Sequence, residues 1–233
     1  MKKLLLTFLI TLFTLTSNVV WSADYIKGVT AYNIGDFTSA LREFKPLAEQ
    51  GNDDAQFWLG LMFDKGNGVP QNYKTAIKWY TYSANQGDAN AQNNLGQMYR
   101  LGEGTPVNYQ TAIKLYRLAA EQGNASSQTS LGTMYDQGIG VPQDYNLAVK
   151  WYRLAAEQGS DRSQFNLGVS YLRGEGVIKD NVYAHMWANI SASNGHEDAK
   201  RLRDFAEESM TSADISKAQN LARECLAKNY KGC

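Results

Sequence analysis

Apolar residues along this chain recur with the period of a helix rather than of a strand. In DANAQNNLGQMYRLG, Ala91, Leu95, Met98 and Tyr99 fall at i, i+4, i+7 and i+8, one face of a helix. A Gly-x-Gly run then breaks the pattern, and Pro70, Pro106 or Pro142 keeps the connector non-helical. A second face follows in NYQTAIKLYRLAAEQ, carried by Ala112, Leu115, Tyr116 and Ala119. Gly123 is expected to stop that helix in a left-handed conformation and Asn124 to cap the next one.

The helix pair is written several times over. Gly51, Gly87, Gly123, Gly159 and Gly195 each follow an amide residue and stand 36 residues apart without insertion. Leu59-Gly60 recurs as Leu95-Gly96, Leu131-Gly132 and Leu167-Gly168, and Ala76 recurs as Ala112, Ala148 and Ala184. A strict period of this length signals a stack in which one pair alone cannot bury its apolar faces. Expected boundaries are a leader over 1–22, a shorter tetratricopeptide-like unit over 23–50, and repeats over 51–86, 87–122, 123–158 and 159–194. Capping helices with a closed tail are expected over 195–233.

The stretch AQNNLGQMYRLGEGTPVNYQTAIKLYRLAAEQG resembles a Sel-1-like repeat, a relative of the tetratricopeptide repeat. Its elements Ala-x-x-x-Leu-Gly, Gly-x-Gly-Val, Ala-x-x-Trp/Leu-Tyr and Ala-Ala-x-x-Gly run through four units from Gly51 to Asn194, with Val177-Ile178 and AHMWANISA as departures in the last. The resemblance implies an all-α, right-handed α-solenoid of stacked helix-turn-helix repeats. It also implies an adaptor or assembly role, which exported bacterial members carry out at the envelope or on host factors. A cysteine-rich branch of the family is linked to penicillin binding and weak β-lactamase activity, but these repeats lack its cysteine pair.

Function is expected where the copies differ. Counted from the leading glycine, the first helix of each repeat keeps positions 5, 6, 9, 10, 12 and 13 on one face and varies at 7, 8, 11, 14 and 15 opposite. First helices of stacked hairpins line the concave surface, so the varying set is a candidate binding strip. It holds Phe57, Trp58 and Leu61, then Asn93, Asn94, Gln97 and Arg100. Thr129, Ser130, Thr133 and Asp136 follow, then Phe165, Asn166, Val169 and Arg173. Carboxamides both donate and accept, which suits an extended peptide backbone. The competing expectation is that Phe57 and Trp58 pack against Tyr32 and Phe37, and that the amides are ordinary solvated surface.

The strip and the resemblance imply a protein or extended peptide as partner, and composition argues against one other class. The chain's 23 basic and 23 acidic side chains cancel, which argues against an electrostatic nucleic-acid binder. The opening MKKLLLTFLITLFTLTSNVVWSAD has the charged, apolar and small-residue order of a secretory signal, with cleavage expected after Ser22 and a retained anchor as the alternative. The protein is therefore expected to be exported, periplasmic or secreted, monomeric, and without stable membrane insertion after cleavage. Cys225 and Cys233 are then expected to form a structural disulfide.

No serine-hydrolase or penicillin-recognising signature is present, and no metal-ligand spacing or phosphate loop, so neither catalysis nor a cofactor is expected. His185 is expected on the exposed face, at a slot taken to be that of the repeat lysines, and His196 in a capping or exposed role.

Overall fold

The computed structural model describes residues 24–233, so the leader expected over 1–22 lies outside the described residues. The described residues form α-helices and no strand. The chain divides into two compact units that meet in sequence between Val107 and Asn108. The N-terminal unit holds α1 (24–33), α2 (Phe37–Glu49), α3 (Asp53–Lys65), α4 (Tyr73–Asn85) and α5 (Ala89–Leu101). The C-terminal unit holds α6 (Tyr109–Glu121), α7 (Ala125–Gln137), α8 (Tyr145–Ala156), α9 (Asp161–Arg173) and α10 (Asn181–Ser193), closed by α11 (Ala199–Glu207) and α12 (Ser212–Ala227). Within each unit consecutive helices from α2 to α5 and from α6 to α11 pack on one another, and α12 packs back on α10. Each is thus an all-α repeat stack of the solenoid kind.

Short polar side chains set where the helices begin. Asn52, Asp88, Asn124 and Ser160 precede the first helices, and each accepts a hydrogen bond from the amide three residues on. Asn72, Asn108 and Asp144 do the same for the second helices. Asn124 serves two helices at once. Its amide donates to Ala119 O while Gly123 N donates to Ala120 O, which closes α6, and its side chain then opens α7. This double use lets only three residues, Gln122 to Asn124, separate α6 from α7.

Packing explains the repeated letters. In the N-terminal unit the Tyr80 ring lies against Gly60, where a Cβ would sit 2.5 Å from it; in the C-terminal unit Tyr152 lies against Gly132 in the same way. Both tyrosines are buried, each side chain contributing about 1.5–3 kcal/mol by leaving water. A ladder of buried glutamines joins the helices. Gln56, Gln92, Gln128 and Gln164 each donate to the carbonyl eight residues back, at Ala48, Ala84, Ala120 and Ala156. Gln86, Gln158 and Asn194 donate in turn to Gln56, Gln128 and Gln164. A buried amide needs these partners, since an unmade bond there costs about 1–3 kcal/mol.

The two histidines do not lie as expected. His185 is fully buried, because in the repeat register it follows Ala184 as Ile77, Ile113 and Val149 follow Ala76, Ala112 and Ala148. It occupies an apolar slot rather than the lysine slot, and its Nε2 stands 2.6 Å from Glu207 Oε1. His196 occupies the capping slot without capping through its side chain; its ring stacks on Phe165 at 4.4 Å and 9°.

Candidate functional site

The strip of varying residues on the first helices divides into a set that is drawn into the stack and a set that faces outward. Trp58 belongs to the first. Its ring stacks on Phe44 at 5.6 Å and 5°, lies 4.7 Å from Tyr32, and its indole N–H donates to the Tyr25 hydroxyl at 3.1 Å. Phe57 turns the other way, edge-on to Trp58 and 6.0 Å from the Tyr80 ring. Packing of Trp58 on Tyr32 follows the competing expectation; Phe57 packs toward Tyr80 instead of Phe37.

Asn94 also works inside the stack. Its amide donates to the Tyr80 hydroxyl at 3.1 Å, and Asn93 donates to the Asn94 carbonyl oxygen at 3.1 Å. Asn166 stands 72 residues further on, near the Tyr152 hydroxyl, and that hydroxyl donates to Thr133 Oγ1 at 3.4 Å. Burial pushes both phenols well above the usual tyrosine range, so they stay protonated and require such partners. Thr129 is buried too, its hydroxyl within 2.8 Å of Ser163 Oγ and 3.2 Å of Ser160 Oγ.

What remains outward is a smaller set. In the N-terminal unit Gln97 is exposed, and Leu61 and Arg100 are half-buried. In the C-terminal unit Thr133, Asp136 and Val169 are half-buried and Arg173 is exposed. Burial raises the Asp136 carboxyl, with Glu175 adding to the rise and Arg173 opposing it.

The strip continues where the sequence pattern ended. Leu202 and Phe205 of α11 stand 36 residues after Asn166 and Val169, so α11 supplies one more first helix, shorter than the others. A groove of about 380 Å³ opens between α9 and α11. Phe165, Val169 and Leu172 line one side and Leu202 and Phe205 the other, with Arg173, Asp198 and Arg201 as its charged lining. The missed signal was Ala199, which stands 36 residues after Ser163 and is buried like it, although the glycine motifs stop at Gly195 and Arg203-Asp204 replaces Leu167-Gly168.

Among the described residues no group of three or more His, Cys, Asp or Glu side chains is placed to hold a metal ion, and no helix is long and apolar enough to cross a membrane. Cys225 and Cys233 are joined in a disulfide with Cα atoms 5.6 Å apart.

A profile described as the Sel1 repeat matches residues 53–88, 89–124, 125–160 and 161–196. Among solved structures, a protective antigen present in uropathogenic Escherichia coli strains, displaying an SLR fold, is 36% identical with a TM-score of 0.78. That match covers 94% of this chain and 48% of the antigen, so the chain spans about half the antigen's length. A Sel1 repeat protein from Oxalobacter formigenes is 34% identical with a TM-score of 0.72, over 88% of this chain and 84% of that one. No curated protein sequence matches the chain.

Proposed function

The chain belongs to the Sel1 repeat family, whose members are generally protein-interaction scaffolds and typically not enzymes, and from that premise we propose that it is a non-enzymatic exported scaffold holding a protein or extended peptide against its first helices. The observation that carries this reading is the outward half of the strip. Leu61, Gln97 and Arg100 in one unit, and Val169, Arg173 and Phe205 in the other, belong to the part of the strip that is not drawn into the stack. Asn94 leaves the candidate contact set, because its amide holds the Tyr80 hydroxyl. The C-terminal disulfide supports export to an oxidising compartment. The β-lactam-binding alternative gains no support, since both cysteines of the chain are joined to each other in the tail and none lies in a repeat.

Crosslinking capture from cell-envelope and secreted fractions tests the reading, comparing the native protein with a Gln97→Ala/Arg100→Ala variant and an Arg173→Ala/Phe205→Ala variant. Both variants alter outward side chains and should melt like the parent. A partner retained by the native chain and lost by either variant supports the strip, whereas equal capture by all three moves the binding surface elsewhere. Intact mass of the exported protein should show cleavage after Ser22.

A further inference from the structure

Resting on the scaffold reading, we propose that the α9–α11 groove takes a bulky apolar side chain of a partner segment that carries a carboxylate next to it, so that the partner class is an acidic peptide rather than a neutral or basic one. The groove measures about 380 Å³, within the roughly 300–1,000 Å³ of small binding sites. Phe165, Val169, Leu202 and Phe205 give it an apolar lining, and Phe205 is 58% exposed although it faces the groove. An exposed aromatic beside a concave surface is the type of residue that dominates interface energetics once covered.

Charge selects the occupant. The lining carries two guanidinium groups, Arg173 and Arg201, against one carboxylate, Asp198. Asp198 is bonded to Arg201, which keeps a side chain 82% exposed. The carboxylate nearest Arg173 is Glu175 at 3.7 Å, longer than a hydrogen bond, and that arginine side chain is 64% exposed. A guanidinium presents five donors in a planar fork suited to a carboxylate, so both arginines have donors to offer an incoming acid. Lysine or arginine in the same place on a partner would meet like charge, which makes the groove discriminating as well as attractive.

The test pans a random decapeptide phage library against the purified protein and titrates the selected peptides by fluorescence anisotropy. Enrichment of a bulky apolar residue within two positions of Asp or Glu is expected. Binding should weaken at least about tenfold in Arg173→Glu and in Phe205→Ala, the scale of one charge-assisted contact or one apolar anchor, and should fall with added salt. Lys114→Ala, at an exposed residue of α6 outside the strip, should bind those peptides as the parent does. Unchanged thermal melts of the variants guard against unfolding. Selected peptides without an acidic preference, or with affinity that survives both groove variants, would overturn the proposal. If affinity is lost in Gln97→Ala/Arg100→Ala instead, the groove assignment fails and the scaffold reading stands. If no peptide is selected at all, both are refuted for peptide ligands.

Discussion

Asn94 shows how a side chain offered to a ligand by its sequence can be claimed by the fold. Comparing copies marks it as variable, since the same position holds Trp58, Ser130 and Asn166 in the other repeats. The variation is compensated one helix away. Where the facing residue is Phe44 the position holds an aromatic ring that stacks on it, and where it is Tyr80 the position holds an amide that bonds the hydroxyl. Asn94→Ala should therefore cost about 1–2 kcal/mol in denaturant unfolding and leave partner capture unchanged, because Tyr80 keeps only a 3.5 Å approach to Asp64. A variant that lost capture at unchanged stability would return Asn94 to the binding strip. These pairings were legible in principle, as Phe44–Trp58 and Tyr80–Asn94 keep one spacing, but the helical projection of a single helix cannot reveal a partner on another. His185 was misplaced for a simpler reason: a shift of one residue in register exchanges a lysine slot for a buried one.

Helix starts and stops were the most readable elements, because capping chemistry is local and repeats at fixed spacing. Two glycines that the sequence shows alike differ in what surrounds them. Gly123 has φ +92, and a Cβ added there would meet nothing within 4 Å; Gly140 has φ +70, and its Cβ would stand 2.4 Å from Tyr109 Cβ. Gly123→Ala should thus cost about 1–2 kcal/mol from backbone strain alone. Gly140→Ala adds an overpacking penalty and should cost about 2–5 kcal/mol in the same unfolding assay.

Charge at a helix start makes a pH-dependent prediction. Burial raises the Asp88 carboxyl, its bonds to the Ala91 and Asn90 amides pull it down, and Asp53 adds to the rise. The folded state thus binds this proton more tightly than the unfolded chain, so the contribution is favourable at acid pH and is lost as pH rises through the folded value. Asparagine caps as well as aspartate, as Asn52 and Asn124 do here. Asp88→Asn should therefore stabilise the protein at neutral pH by about 0.5 kcal/mol or less, since the carboxylate is only half-buried and partly screened. The advantage should disappear below the ordinary carboxylate range, as urea midpoints across pH would show.

At the scale of the molecule, the period and the all-helical class were visible because stacking repeats the same contacts, while the continuation into α11 was not, because its glycine motifs are gone. The amide series of Gln86, Gln158 and Asn194 also reaches further than the motifs. Asn194 receives the Tyr230 hydroxyl at 3.1 Å, and Tyr230 stands 36 residues beyond it, in the place the next repeat's amide would take. Its ring lies on Gly159, and Gly232 N donates to Glu157, so the tail between Cys225 and Cys233 is seated on the preceding repeat. Opening the disulfide should cost about 2–3 kcal/mol, read as a lower melting temperature in reductant or in Cys225→Ser/Cys233→Ser. The same closure governs how the chain carries mechanical load. A pull applied at Cys233 passes through sulfur directly into α12, bypassing the eight-residue path through Tyr230 and its seat. With the bond intact, force-extension traces should release about 20–23 Å less contour from the tail than with the bond reduced, once the 5.6 Å already spanned is subtracted, and the first rupture should come from α12 leaving α10.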